Sequence, residues 1–144
     1  MQFGAFSLSV MFVLLAGGAS PAAAQDRERA QFPICQGANR ITCIVDGDTI
    51  WYRGTKIRIA DIDTPEISRP GCPNEAAIGK RATERMRALL NAGSFTLAPS
   101  ADGRDTDRFG RSLRVVTRDG VSLGEVLVAE GLAERWGGPK IAWC

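Results

Sequence analysis

The sequence contains no histidine, and this absence excludes several classes of hydrolase. Serine and cysteine hydrolases, and many nucleases, use histidine as a general base or nucleophile. A general base in this chain must therefore be a carboxylate, a lysine or a metal-activated water. A structural zinc site is also disfavoured, because the four cysteines include no C-x-x-C pair and no histidine can join them.

The net charge is small, and aromatic residues are few. The formal net charge is +2, from 18 basic and 16 acidic residues, which is too small to indicate a nucleic-acid-binding protein by composition. One tyrosine and three tryptophans are few for a sugar-binding surface built from aromatic rings. Any functional inference must therefore come from where the charged residues stand along the chain.

The first 24 residues lack charged side chains. Residues 3–15 are largely apolar, and three alanines at 22–24 form a small-residue cleavage site, so 1–24 is predicted to be a secretory signal peptide. The first positions after Met1 lack the lysine or arginine that usually begins a signal peptide. A short membrane anchor or a buried helix is therefore the alternative, although the apolar run is short for a membrane span. We expect a secreted or periplasmic protein with no stable membrane association after cleavage.

The predicted mature chain begins with a polar stretch, 25–40, that shows no helix or strand period and is expected to be flexible. Residues 41–144 are predicted to form one domain. Four cysteines in an exported chain suggest two disulfides, for which three connectivities are possible. We favour Cys35–Cys43, which closes a short loop, together with Cys72–Cys144.

Five runs rich in β-branched residues are predicted as strands, at 41–45, 49–52, 56–62, 94–98 and 112–117. One helix is predicted from a cap at Asn74 to about Leu90. A second is predicted from a capping box of Ser122 and Glu125 to about Glu130. A helix after the third of five short strands is typical of a small, partly open barrel of the OB type, whose open face binds oligonucleotides or oligosaccharides.

Acidic residues gather in the stretch 45–66 on either side of Arg58. The acidic residues are Asp46, Asp48, Asp61, Asp63 and Glu66. Carboxylates that hold a divalent cation, beside a guanidinium, suit phosphodiester hydrolysis, because both cations neutralise charge growing on the phosphate. Taken singly, each group has a plainer interpretation: Asp-Gly is a common turn, and an arginine–aspartate pair is common on surfaces. Taken together, they indicate a metal-dependent nuclease.

Strand alternation sets a condition on this hypothesis. If the third strand alternated without interruption, Asp63 would face the core together with Ile57 and Ile59. A metal ligand cannot lie there, so the strand is predicted to end or bulge near residues 61–62.

Four motifs resemble the staphylococcal nuclease (thermonuclease) family. They are D-G-D-T at 46–49, R-I-A-D-I-D-T-P-E at 58–66, T-D-R-F-G-R at 106–111 and G-E-V-L-V-A-E-G-L-A at 124–133. The resemblance covers roughly residues 41–135. It implies an α+β, mainly β fold with a five-stranded OB-fold barrel and about three helices. We expect the protein to be a monomer. It also implies a Ca²⁺-dependent nuclease that cleaves DNA and RNA and leaves 3′-phosphates.

The resemblance also implies roles for single residues. Asp48 and Asp63 match the calcium-ligating aspartates, and Thr64 would ligate through its backbone carbonyl. Asp46 matches an acidic residue behind these ligands. The remaining matches are to catalytic positions: Glu66 to the water-activating one, and Arg58 and Arg111 to the two arginines on the scissile phosphate.

The segment R-W-G-G-P-K at 135–140 stands where the family prototype has a tyrosine-bearing segment that packs on the nucleotide. Trp136 is therefore a candidate for substrate stacking or for the core, and Arg108 is a candidate for added phosphate attraction. The alternative function is a non-catalytic OB module that binds nucleic acid or a protein partner. A sugar-binding OB module is the third hypothesis.

Overall fold

The computed structural model describes Gly4 and residues 26–144. Its sheet begins with a meander of three antiparallel strands. These strands are β1 (Cys43–Asp46), β2 (Thr49–Tyr52) and β3 (Thr55–Ile59). Arg53 and Gly54, which separate β2 from β3, have φ angles of 48° and 81°. Positive φ at both central residues is the turn geometry that matches strand twist, so this hairpin is tight.

The remaining elements follow in chain order. They are β4 (Ile62–Asp63), α1 (Pro73–Asn91), β5 (Thr96–Pro99), β6 (Ser112–Arg118), β7 (Val121–Ser122), α2 (Leu123–Ala129) and β8 (Glu134–Arg135). The third predicted strand is therefore divided, since β3 ends at Ile59 and β4 begins at Ile62 after a turn. This confirms the predicted interruption before Asp63.

The main sheet has the hydrogen-bonded order β1-β2-β3-β6-β5, with β7 paired to β6. All of its pairings are antiparallel except β3 with β6, which run parallel with Arg58 opposite Leu113. Strands β4 and β8 form a separate two-stranded sheet. Within the described residues no ladder joins β1 to β5. The architecture is α+β and mainly β, as predicted for a partly open OB-type barrel.

Helix α1 packs across the barrel through a stripe of residues four apart, Ala82, Met86 and Leu90, all of which are buried. Its N-cap is Cys72, whose Sγ accepts a hydrogen bond from the Glu75 amide at 3.5 Å, so the predicted cap at Asn74 was wrong by two residues. The amide of the first helical residue has no partner within the helix, so proline, which lacks that amide, suits this position. Pro73 is the first residue of α1.

Helix α2 begins at the predicted cap, because Ser122 Oγ accepts from the amides of Gly124 and Glu125 at 3.0 and 3.3 Å. The reciprocal half of the predicted capping box is not made. The Glu125 carboxylate instead binds Arg135, with its Oε2 2.6 Å from Nη2. A guanidinium binds a carboxylate more strongly than a backbone amide does, which explains the difference. Gly131, at φ 71°, follows the end of the helix.

The stretch expected to be flexible, 25–40, is packed against the barrel over the part that the structure describes. Phe32 is only 1% exposed and lies in the core with Tyr52 and Phe95. The Phe32 amide donates to Asn91 Oδ1 at 2.7 Å, and Glu28 forms a β-bridge with Phe95. Burial of the apolar Phe32 ring stabilises the folded position of this stretch, although most of its other residues are polar.

Both favoured disulfides are formed, Cys35–Cys43 and Cys72–Cys144. The second joins the N-cap of α1 to residues 136–144, which we call the tail. The described residues contain two helices where the resemblance implied about three, and the tail, with Gly137, Gly138 and Pro139, is not helical. No described helix is long and apolar enough to cross a bilayer. Except for Gly4, the predicted signal peptide lies outside the described residues.

Candidate functional site

A cleft of about 530 Å³ opens at one rim of the barrel, between the β1–β2 turn, the segment that follows β4 and the loop 104–111. All nine residues predicted to bind metal or substrate or to act in catalysis line it: Asp46, Asp48, Arg58, Asp63, Thr64, Glu66, Arg108, Arg111 and Trp136. The cleft therefore joins motifs that are separated by up to 90 positions in the chain.

Asp48 ties the β1–β2 turn to the segment after β4. Its side chain is almost fully buried, Oδ1 accepts from the Thr49 hydroxyl at 3.0 Å, and Oδ2 accepts from the Thr64 amide at 3.0 Å. Gly47 permits this contact, because a Cβ at that position would lie 2.7 Å from Thr64 Cγ2. The small residue of the turn is therefore required for the two segments to meet.

Arg58 lies at the floor of the cleft and is 7% exposed. Its Nη1 donates to the carbonyls of Ile59 and Ile62, the latter at 2.8 Å. Its Nη2 lies 3.3 Å from Asp48 Oδ2 and 3.2 Å from Asp63 Oδ1. The guanidinium thus fixes the turn between β3 and β4 with one nitrogen and bridges two carboxylates with the other.

Burial and mutual repulsion perturb the acidic groups of the cleft. Burial first, and then the charge of Asp48, raises the pKa of Asp46 to about 7. Burial and the charge of Asp48 also raise the pKa of Asp63, although Arg58 and Lys140 oppose the shift. The charge of Asp48 therefore disfavours ionisation of both neighbouring carboxyl groups, and a cation bound beside them would relieve that repulsion.

The donor set at this place fits a hard divalent cation. Carboxylate, carbonyl and water oxygens are the ligands of Ca²⁺, which accepts six to eight of them in a flexible arrangement. Among the described residues no three acidic or thiol side chains form a metal cage by themselves. Asp48 and Asp63 would thus need main-chain oxygen and water to complete the shell, which suits Ca²⁺ or Mg²⁺ better than zinc.

Glu66 stands at the exposed edge of the cleft. Its Oε1 accepts from the Ser68 amide at 2.9 Å and from the Ser68 hydroxyl at 2.6 Å. Hydrogen bonds from Ser68 lower the pKa of Glu66, so this carboxyl group is ionised at neutral pH. The Glu75 carboxylate accepts from the amides of Glu66 and Gly71 and so supports the same loop.

Arg111 enters the cleft from the opposite side, at the start of the segment that leads into β6. Asp107 holds it twice, with Oδ2 2.7 Å from Arg111 Nε and Oδ1 3.0 Å from the Arg111 amide. The Phe109 amide also donates to Asp107 Oδ1, at 2.9 Å. Asp107 therefore shapes the whole turn, and its bond to Nε does not use the terminal nitrogens of Arg111, which are the ones suited to a phosphate.

Two exposed aromatic rings flank the cleft. Phe109 is 68% exposed, and the guanidinium carbons of Arg108 and Arg111 lie 4.7 and 5.4 Å from its ring centroid. Trp136 is 54% exposed, and the guanidinium carbon of Arg58 lies 5.3 Å from its ring. Trp136 is therefore not a core residue, and of the two roles considered for it only a surface one is compatible with the structure.

Sequence reasoning missed several residues of this site. Asp107, Phe109 and Arg104 also line the cleft. The sequence held a signal for Phe109 alone, which is an apolar ring between an arginine and a glycine in a polar loop. Glu134 and Lys140 were missed because nothing in the sequence pairs β8 with β4. That pairing places Glu134 opposite Asp63, and Lys140 Nζ lies 2.7 Å from Glu134 Oε1 and 3.6 Å from Asp63 Oδ2.

Comparison with known proteins gives one family and several relatives. Residues 56–137 match the family described as staphylococcal nuclease homologue. The chain is 39% identical over 93 residues to endonuclease YncB of Bacillus subtilis strain 168, covering 62% of this chain and 43% of that protein. It is 40% identical over 93 residues to the SPbeta prophage-derived endonuclease YokF of the same organism, covering 62% of this chain and 31% of that one.

A third relative is the thermonuclease of Staphylococcus hyicus. The identity is 31% over 98 residues, which cover 65% of this chain and 56% of the relative. The chain thus spans between about a third and somewhat more than half of the length of these three relatives. The residues 56–137 include Arg58, Asp63, Glu66 and Arg111, so the match coincides with most of the cleft.

Proposed function

Because the chain belongs to the staphylococcal nuclease homologue family, we propose that it is a phosphodiesterase that hydrolyses DNA and RNA with a bound Ca²⁺ ion. The observation that carries the proposal is the position of Arg58. It is buried between Asp48 and Asp63 at the floor of a cleft that Arg111 enters from the other side. Carboxylates for a cation and two guanidinium groups for a phosphate then face one space.

In this proposal Asp48, Asp63 and the Thr64 carbonyl hold the cation, and Asp46 is an acidic group behind them whose ionisation the bound cation would favour. The cation, when bound, supplies positive charge for a non-bridging phosphate oxygen and makes a nearby water easier to deprotonate. The two arginines bind the scissile phosphate and stabilise the charge that accumulates on it in the transition state.

Glu66 accepts a proton from the attacking water. Its lowered pKa keeps it in the ionised form that a base requires, and Ser68 holds the carboxylate at the cleft edge. Water attacks phosphorus in line with the 5′-oxygen, the bond from phosphorus to that oxygen breaks, and the leaving oxygen takes up a proton from solvent water, while Glu66 returns its proton to solvent. The products carry a 3′-phosphate and a 5′-hydroxyl.

Substrate strands would lie across the exposed rings of Phe109 and Trp136. Base stacking on aromatic side chains tolerates any base and requires bases that are not paired. Arg108, beside Phe109, adds positive charge for the backbone. We therefore expect single-stranded or frayed nucleic acid to be cleaved faster than a closed duplex.

The disulfides support a place of action outside the cytoplasm, and we propose a secreted or periplasmic protein that acts as a monomer. Cell fractionation followed by thiol labelling tests the first part. Sedimentation of the purified oxidised chain, with and without Ca²⁺, tests the second.

The decisive experiment measures cleavage of fluorescent single-stranded DNA, duplex DNA and RNA over a Ca²⁺ titration, with EGTA as the zero point. Phosphatase treatment of the products then reveals a 3′-phosphate by its mobility shift. The matched variants are Glu66→Gln, Arg58→Ala and Arg111→Ala, and each is expected to cleave about a hundredfold more slowly or worse. If all three cleave as the parent does, the mechanism is wrong. If the parent binds nucleic acid but never cleaves it, the chain is a binding module.

A further inference from the structure

Two carboxylates face each other where β4 meets β8. Asp63 and Glu134 occupy paired positions in this antiparallel ladder. Like charges directly opposite each other in a ladder are destabilising, and Glu134 is also 5% exposed. A cation must therefore lie near both groups.

Lys140 supplies that cation from the tail. Its Nζ lies 2.7 Å from Glu134 Oε1 and 3.6 Å from Asp63 Oδ2. The other oxygen of Asp63, Oδ1, faces Arg58 Nη2 at 3.2 Å. Each oxygen of the Asp63 carboxylate thus has a positive group beside it, and a metal ion bound to Oδ2 would occupy space next to the ammonium group.

The tail is held so that Lys140 reaches this place. The Ile141 amide donates to Glu134 Oε2 at 2.7 Å, which fixes the residue after the lysine. Further along, Asn74 Nδ2 donates to the Trp143 carbonyl at 2.6 Å, and Cys144 is bonded to Cys72. The backbone is therefore anchored on α1, while the Lys140 side chain is 70% exposed and brings its ammonium group to both carboxylates.

We propose that Lys140 is a positioning residue that sets the cation affinity of the site, by competing with the bound cation for the Asp63 carboxylate. Glu134 has the opposite effect. It draws the ammonium group toward itself and adds negative charge near the cation. The two side chains therefore have opposite effects on the proposed metal site. Loss of the lysine favours cation binding, and loss of the glutamate disfavours it. The proposal depends on the proposed function only in taking Asp63 as a cation ligand.

The test is isothermal titration calorimetry with Ca²⁺ on the oxidised chain, for the parent, Lys140→Met, Glu134→Gln and the double variant. Lys140→Met is expected to bind Ca²⁺ about two- to fivefold more tightly, the size of effect that one partly exposed charge contact gives. Glu134→Gln is expected to bind it more weakly by a similar factor, and the double variant is expected to return close to the parent.

The opposite signs are the diagnostic feature, because a lysine and a glutamate that only stabilised the tail would weaken binding in both single variants. Lys80→Met is the matched control, since Lys80 is exposed on α1 and makes no ion pair within the described part of the chain. It removes the same charge from elsewhere and should leave the affinity unchanged. Unchanged or weaker binding by Lys140→Met overturns the proposal, and so does unchanged or tighter binding by Glu134→Gln. If the parent binds no Ca²⁺ at all, the proposed function fails together with it. If it binds Ca²⁺ and only the signs are wrong, the proposed function stands.

Discussion

Replacing Arg58 by alanine removes the guanidinium that two carboxylates of the cleft share. Asp48 would keep its hydrogen bonds from Thr49 and Thr64, but its Oδ2 would lose the positive charge at 3.3 Å, and Asp63 would lose the one at 3.2 Å. The carbonyls of Ile59 and Ile62 would also lose a donor. The substitution therefore leaves buried negative charge without a partner.

Removing one member of a buried ion pair typically costs about 3–5 kcal/mol of folding free energy. Only one of the two carboxylates is deeply buried, since the Asp63 side chain is 36% exposed and water screens it. We therefore expect a loss near the lower end, about 3 kcal/mol, in urea unfolding without metal. The loss in kcat should be on the order of a hundred- to a thousandfold, as for other preorganised charge donors.

Arg58→Lys is the control that separates charge from geometry. A lysine keeps the positive charge but cannot donate to the carbonyls and to both carboxylates at the same time. It should recover part of the unfolding free energy while kcat stays low. Ca²⁺ should also stabilise Arg58→Ala by more than it stabilises the parent, because Asp48 then has lost its ion-pair partner and Asp63 keeps only Lys140. A surface ion pair contributes at most about 1 kcal/mol to the free energy of unfolding. The reasoning would be refuted if Arg58→Ala lowered that free energy by no more than this amount and also cleaved at the parent's rate.

Three further substitutions test other contacts. Asp107→Asn should lower kcat by about tenfold or more in the cleavage assay, since Arg111 then loses a charged partner at its Nε and is less firmly placed. Phe109→Ala should raise KM for single-stranded DNA by about five- to a hundredfold with a smaller change in kcat, the range expected for loss of one stacked base. Replacing both cysteines of Cys72–Cys144 by alanine should lower the free energy of unfolding by about 4 kcal/mol, against about 2.5 kcal/mol for Cys35–Cys43, because the closed loops have separations of 72 and 8 residues.

Each of these has its own control. Asp105→Asn removes a carboxylate from the same loop that pairs with Arg114 instead, so it should spare kcat. An Asp107→Asn enzyme no slower than this control would contradict the positioning role. Phe109→Trp should keep KM low, and a loss as large as with alanine would argue against stacking. Equal melting temperatures for the two cysteine-pair variants would contradict the loop-closure account.

Local chemistry explains why much of the fold could be predicted. The turns at 46–48 and 53–54 contain glycine where the chain reverses, and β-branched residues mark the strands on either side of them. Asp63 could be placed outside the core because uninterrupted strand alternation would have buried its charge there. The pairing Cys35–Cys43 was favoured because a short loop closes readily.

Contacts between distant segments could not be read in the same way. Asn74 looked like the cap of α1, but the helix begins at Pro73 with Cys72 as its cap, and Cys72 is also bonded to Cys144 in the tail. Glu125 looked like part of a capping box until β8 brought Arg135 within reach. Lys140 is one exposed lysine in a glycine-rich segment, and its place beside Asp63 follows only from the pairing of β4 with β8.

The parallel pairing of β3 with β6 determines when the cleft can form during folding. Ile57 and Ser112 are paired across a long intervening segment that includes α1 and β5. Closing a loop of that length costs entropy before its contacts form, so this is expected to be a slow step. Until it is complete, Arg111 is not beside the acidic turn. If the chain is exported unfolded and is the nuclease proposed above, it would therefore carry no assembled site past the nucleic acid of the cell that makes it.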